Sequence, residues 1–224
     1  MHRLHRNAPP AGLRRYRHDR HAWGGDPIVP SPGDRADIWT QLNAMQGARC
    51  AYCETPLSPD NRHIEHFRQR SRYPQGTFDW DNLFGSCNRS GTCGDHKDKY
   101  GNYPPANLLK PDVDEPDDYL VFVVDGTVQP KAGLSPEAHH RAAETIRILN
   151  LNAPALRQAR GSMACGYQQT AEDFAEMATL FDESEWLPSL TQEVQATAHL
   201  PFATAIRHVL NPPKPAPMPR QPSV

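Results

Sequence analysis

The residues able to do chemistry crowd into one stretch of the chain, from Cys50 to Lys97. It reads CAYCE from Cys50, RHIEHFRQRS from Arg62, and FDWDNLFGSCNRSGTCGDHKD from Phe78. Cys50 and Cys53 form a C-x2-C pair, and Cys87 and Cys93 form a looser C-x5-C pair. Thiolates arranged in two pairs suit tetrahedral zinc. Disulfides would need an oxidising compartment, and the opening MHRLHRNAPP has no apolar core of the kind a signal peptide carries. A structural Zn2+ on the four cysteines is therefore expected, with Asn88–Thr92 bulging out as a short loop between the second pair.

Between the pairs stand a carboxylate and an imidazole side by side, Glu65 and His66, then Asn82 two residues after Trp80, and finally Asp95-His96-Lys97. The elements that must position them can be read from the pattern. His63–Phe67 and Phe78–Phe84 mix apolar and polar residues over strand-length runs, which predicts a β-hairpin with a long Arg-rich loop. Cys93–Tyr100 reads as a short helix. Neighbouring side chains on a regular strand face opposite ways, so Glu65 and His66 can share a site only where the strand frays or bulges. His63 lies on the face of Glu65, as an auxiliary ligand or as an exposed strand residue. The ββα order brings a carboxylate, an imidazole and a helical ligand around one point.

This arrangement resembles the HNH (ββα-metal) endonucleases, and within them the PtuB-type proteins of Septu and retron-associated anti-phage systems. The resemblance runs from about Pro9 to Arg160, and includes the run TIRILNLN at 145–152. It implies that His66 is the general base, Glu65 the carboxylate metal ligand beside it, and Asn82 the central Asn of the motif. Asn82 would bond the backbone of the loop carrying His66 and orient the imidazole. Many HNH proteins place the helical ligand directly after the last zinc cysteine, which here is Gly94. His96 is the expected substitute, with Asp95 the second choice, around a Mg2+ or Mn2+ ion. Phosphodiester hydrolysis needs such a set: a base near neutrality to deprotonate water, and a cation to neutralise charge on the phosphorane and the departing oxygen. The implied fold is α+β, a zinc-stapled ββα-metal nuclease core followed by a β-hairpin and a helical C-terminal region.

The 224 residues carry a net charge of −2, with 38 % hydrophobic residues and 23 prolines. So small a charge on a protein that approaches a polyanion means that positive charge is local or that a partner supplies affinity. It is local in residues 1–33, where Arg3, Arg6, Arg14, Arg15, Arg17 and Arg20 make a basic arm, phosphate-gripping or docked on its own domain. Arg68, Arg70 and Arg72, in the hairpin loop with Tyr73 and Phe78, are candidate nucleic-acid contacts. No run is apolar enough to span a membrane, and with no export signal a cytoplasmic location is expected.

Outside this stretch the chain reads as scaffold. A helix is expected over Asp34–Gly47, opening a nuclease core at 34–110, its apolar face packed under the first cysteine pair. In 111–210, Asp112–Asp118 reads as a solvated acidic turn, Tyr119–Val124 and Thr127–Gln129 as a hairpin, and Ser135-Pro136 as a helix start. Pro154 opens a second helix carrying residues through Met177, with Cys165 as a core thiol. Helices at Glu185–Thr197 and Pro201–Leu210 follow, and a Pro-rich, disordered tail at 211–224. There is no nucleotide-binding loop. The resemblance supplies an ABC-type ATPase partner, PtuA-like, in some systems with a retron reverse transcriptase and its RNA–DNA product, and the helical region is the expected docking surface. Two classes of function stand: an endonuclease acting on DNA in preference to RNA such as tRNA, or a non-catalytic zinc-ribbon module binding nucleic acid or a partner.

Overall fold

The computed structural model describes residues 1–211, so the expected disordered tail lies, Asn211 apart, outside the described residues. Helix α1 spans Pro32–Gln46. Ser31 caps it by accepting the Asp34 N–H, and Gly47 closes it at φ 61°, ψ 40°, where a glycine costs least. Buried Ile38 and Leu42 lie on its inner face. That face meets strand β2 (Leu83–Cys87) at Gly85, where an added Cβ would come within 3.0 Å of Trp39 and 3.1 Å of Gln46. The Gln46 amide bonds both backbone groups of Gly85, at 2.7 and 2.9 Å. A central strand glycine thus lets the helix come close to the strand beside the first cysteine pair.

Strand β1 (Arg62–His66) pairs antiparallel with β2, in a register running from Arg62 opposite Cys87 to His66 opposite Leu83. The second strand begins at Leu83 instead of Phe78, because Trp80–Asn82 turn once as a 3-10 helix that closes with the Leu83 N–H on Trp80 O. Helix α2 (Cys93–Lys99) completes the ββα unit.

A second hairpin follows, β3 (Leu120–Phe122) with β4 (Val128–Pro130), and then helix α3 (Pro136–Ile148), capped by Ser135 as expected. Helices α4 (Pro154–Cys165) and α5 (Gln168–Leu180) replace the single expected helix. They part at Gly166-Tyr167, and Cys165 at the break is exposed, not a core thiol. Helix α6 (Glu183–Thr197) and helix α7 (Ala203–Leu210) complete the described chain. Buried Arg160 on α4 donates to Gly126 O (2.7 Å) and Leu151 O (2.9 Å), tying the hairpin turn to the helix.

One cluster of buried side chains runs from Leu4 and Leu13 in the arm, through Leu83 and Phe84, to Leu156 and Ala205. The arm is therefore docked, and Arg6 is structural: it pairs with Asp112 at 2.6 Å and bonds the Leu83 carbonyl at 3.1 Å. Asp112–Asp118 is not a solvated turn. Asp114 pairs with Arg141 at 2.8 Å, and Asp117 with Arg207 and His208, so these acids are counter-ions to cations from distant elements. Helix α7 also reaches back to the first cysteine pair, where the Thr204 N–H donates to the buried Glu54 carboxylate at 3.0 Å. Among the described residues no helix is long and apolar enough to cross a membrane.

Candidate active site and metal centre

The four thiols converge. Cys50 and Cys53 stand on a turn after α1, held by the Cys50 N–H on Thr55 O and the Ala51 N–H on Gly85 O. Cys87 ends β2 and Cys93 begins α2, at φ 51°. All four are buried and their sulfurs lie within 4.8 Å of one another, Cys53 and Cys87 at 3.8 Å. Sulfurs around a tetrahedral zinc with ~2.3 Å bonds lie about 3.8 Å apart, so the cluster has the dimensions of such a metal site. The five-residue gap is absorbed as expected: Gly91, at φ +71°, donates its N–H to Asp95 at 2.7 Å, and its carbonyl takes the Asn150 amide at 2.7 Å. Among the described residues no other group of three or more His, Cys, Asp or Glu side chains gathers as a metal site would.

Glu65, near the end of β1, is 2 % exposed. Its Oε1 lies 2.6 Å from Lys97 Nζ, an ion pair rather than an aligned hydrogen bond, and its Oε2 lies 3.1 Å from His63 Nε2. Lys97, on the inner face of α2, has no exposed surface, and its ammonium also donates to His66 O at 3.0 Å and to Asp98 at 2.6 Å. Burial pushes the Glu65 pKa up, but Lys97 and His63 overcome this and leave it below the usual range. For Lys97 the same burial works downward, and Glu65 reverses it, holding the amine well above its ordinary value. His63 is half-buried, anchored by Asn88 at 2.7 Å, and raised in pKa because Glu65 outweighs its burial.

His66 is the last residue of β1, still paired with Leu83, and the Phe67 N–H on Asn82 O continues the ladder. No fray or bulge therefore turns it toward Glu65, and the two side chains leave opposite faces of the strand. The His66 Nε2 faces the Thr77 carbonyl at 3.0 Å, and since a carbonyl only accepts, Nε2 carries the hydrogen and Nδ1 is the basic nitrogen. Burial, with Arg70 nearby, depresses its pKa to about 4, so the ring is neutral at physiological pH. The Trp23 ring from the arm stands edge-on to it, 4.5 Å between centroids. Asn82 is wholly buried and spends its amide on the backbone after His66: Oδ1 accepts the Arg68 N–H (2.7 Å), while Nδ2 donates to Arg68 O (3.2 Å) and Gly76 O (2.9 Å).

Not every expected residue is gathered here. His96 turns toward α3, donating Nδ1–H to Ile148 O at 2.8 Å, because its side of α2 packs on that helix. Asp95 is held by Gly91 and, at 2.7 Å, by Lys99. Of α2, Lys97 faces Glu65 Oε1 and Gly94 faces Oε2: a Cβ at Gly94 would fall 2.4 Å from Glu65 Oε2 and 2.9 Å from His63 Nε2. A cation beside Glu65 would thus find Oε2 and His63 Nε2 as its donors. In the structure these two atoms hold each other at 3.1 Å as an ion pair, which a cation would have to displace. Of the loop arginines, Arg68 pairs with Asp79 at 3.3 Å, Arg70 bonds the Trp23 carbonyl at 3.4 Å, and Arg72 is exposed. Sequence reasoning gave Lys97 and Trp23 no role in the site; the first had a signal, a lysine one helical turn beyond the last cysteine, and the second lies in the arm, whose docking beside His66 only the fold decides. No protein-family model matches the chain, and no curated protein matches it.

Proposed function

We propose that the chain is a metal-dependent HNH endonuclease, hydrolysing phosphodiester bonds of nucleic acid, DNA in preference to RNA. The observation that carries this reading is Asn82, whose amide clasps both backbone groups of Arg68 and so fixes the loop that follows His66. A purely structural zinc ribbon has no need of a buried amide spent on orienting an imidazole. The four cysteines are proposed to hold zinc and to fix β1, β2 and α2 around the site.

In this mechanism neutral His66 accepts a proton on Nδ1 from the water that attacks phosphorus, while Thr77 O holds the Nε2 hydrogen and keeps the ring in one tautomer. The P–O3′ bond breaks as the new P–O bond forms, and the 3′ oxygen leaves protonated by water. A divalent cation, Mg2+ or Mn2+, held by Glu65 and by His63 in place of the expected His96, would supply neutralisation of charge on the phosphoryl oxygens. Lys97 holds Glu65 through its other oxygen and His66 through its carbonyl, so one ammonium sets the spacing of both residues. The PtuB-type resemblance extends the proposal to anti-phage defence with an ABC-type ATPase partner.

A second reading, a zinc-stapled binding module, is favoured by the neutralisation of Glu65 by Lys97, by the cover over His66, and by the burial that lowers the His66 pKa to about 4, below the near-neutral value that suits a general base. The experiment that separates them is cleavage of plasmid DNA and of total RNA by wild type and His66→Ala, with Mg2+ or Mn2+, alone and with a PtuA-like ATPase. A metal-dependent cut lost in the variant at unchanged zinc content supports the nuclease. Equal behaviour of the two proteins under every condition, partner included, overturns it.

A further inference from the structure

A cleft of about 450 Å³ opens between the arm and the turns before β2, within the ~300–1,000 Å³ of small-ligand sites. We propose that it is a nucleotide subsite, taking one base against its aromatic wall and the attached phosphate on its arginines. This inference rests on the nuclease reading for its purpose, since the site would hold substrate next to His66. Tyr16, Phe78 and Trp80 form the apolar wall, and Arg14 and Arg17 line the same opening.

The wall is rigid. Tyr16 stacks on Phe78 with centroids 5.5 Å apart, and the Trp80 indole N–H is anchored on Asn7 O at 2.8 Å while Arg6 packs on the ring. The aromatic surface is therefore set before anything binds, which lowers the ordering cost of stacking. The two cations are available. Arg14 is exposed and makes no side-chain hydrogen bond or ion pair among the described residues. The Arg17 side chain meets only Asp19, in an exposed two-bond fork at 3.1 and 3.0 Å whose geometry a phosphate can take over in exchange. Asp79 also lines the cleft, so the phosphate must lie toward the arginines; Asp79 and Gln75 then face the base, as acceptor and amide for its polar edge.

Position connects the cleft to the chemistry. Phe78 follows Thr77, whose carbonyl holds His66 Nε2. The Phe78 ring is also 5.8 Å from Trp23, the ring that abuts His66. A strand with one nucleotide in the cleft would bring a neighbouring phosphate toward the imidazole. A base and phosphate are common to DNA and RNA, and the test carries an arm for each.

The test is fluorescence anisotropy of zinc-loaded full-length protein with labelled single-stranded DNA or RNA of about ten nucleotides, without added divalent cation. The Arg14→Ala/Arg17→Ala variant should raise Kd about tenfold on at least one of the two polymers. It should also make the slope of log K against log salt shallower by ~0.7, the value for the one single-strand phosphate that the arginines no longer neutralise. Arg157→Ala, which removes one cation from helix α4 outside the cleft, should do neither. Gln75→Trp, which fills the cleft without altering charge, should weaken binding as the double variant does. Thymidine monophosphate should displace the oligonucleotide at lower concentration than inorganic phosphate. The proposal is overturned if the double variant behaves like Arg157→Ala on both polymers, if Gln75→Trp binds normally, or if phosphate competes as well as the nucleotide. These readouts need no cleavage, so an inactive wild type would remove the nuclease reading and leave the subsite standing.

Discussion

Replacing Asn82 by alanine tests whether the imidazole is held where the chemistry needs it. The change removes three side-chain bonds at 2.7, 3.2 and 2.9 Å in a site closed to solvent. The Arg68 backbone groups belong to a half-buried residue and can be partly rehydrated, at ~1 kcal/mol each. The Gly76 carbonyl belongs to a buried residue and is left without this partner, at ~1–2 kcal/mol. The expected loss is therefore about 3–4 kcal/mol of unfolding free energy, read from urea denaturation of the zinc-loaded protein. Because the loop carries His66, kcat should fall by about 10²-fold with KM little changed, as for misplacement of a reacting group by ~1 Å. Asn82→Asp sharpens the test: it can still accept the Arg68 N–H, but turns a second acceptor on the Arg68 and Gly76 carbonyls, and should be no better than alanine. A loss below ~1 kcal/mol together with an unchanged kcat would refute the reasoning, since the amide would then be dispensable to both loop and ring.

Other perturbations reach the neighbouring parts. Lys97→Met leaves the Glu65 carboxylate buried without its cation and should cost about 3–5 kcal/mol, measured by denaturation; Glu65→Gln/Lys97→Met should recover part of that loss. Gly94→Asn drives a Cβ into Glu65 Oε2 and His63 Nε2, and should lower the melting temperature and weaken Mn2+ binding measured by electron paramagnetic resonance. Cys93→Ser, or a zinc chelator, should abolish the cooperative unfolding transition of the ββα unit, with metal content followed by mass spectrometry. At Asp117, burial raises the carboxyl pKa, but His208 and Arg207 outweigh it and hold it well below the usual range. A depressed folded pKa gives stability that is complete above the unfolded value of ~3.9 and is lost as pH falls through and below it. Thermal melts between about pH 6 and pH 3 should therefore show a shallower acid decline for Asp117→Asn than for wild type.

Local signals located most of the elements. Gly47 and Ser135 marked helix ends because their caps are settled by neighbouring residues alone, whereas the Ser31 cap went unread and the first helix was expected to begin two residues late, at Asp34. The cysteine spacing located the four-thiol cluster for the same kind of reason, since few arrangements bring such pairs together. What was not legible depends on which face an element shows to something distant. His96 and Gly94 are two residues apart on α2, and only the packing of that helix on α3 decides that the glycine faces Glu65. The acids of 112–118 looked solvated because their partners, Arg6, Arg141 and Arg207, come from both ends of the chain. The late start of β2 and the break at Gly166 reflect turns whose apolar composition resembles that of the elements beside them.

The bond between Glu54 and Thr204 joins residues 150 positions apart, and ties the first cysteine pair to the last helix of the described chain. On the ribosome, at ~5–20 residues per second, the cysteines of the ββα unit emerge well before α7 exists. Through that interval Glu54 has its partners Met1 and His2 but not Thr204. All four cysteines are therefore made before this flank can close, and a ribosome stalled before Ala203 would display the turn of Cys50 and Cys53 still open to water on one side.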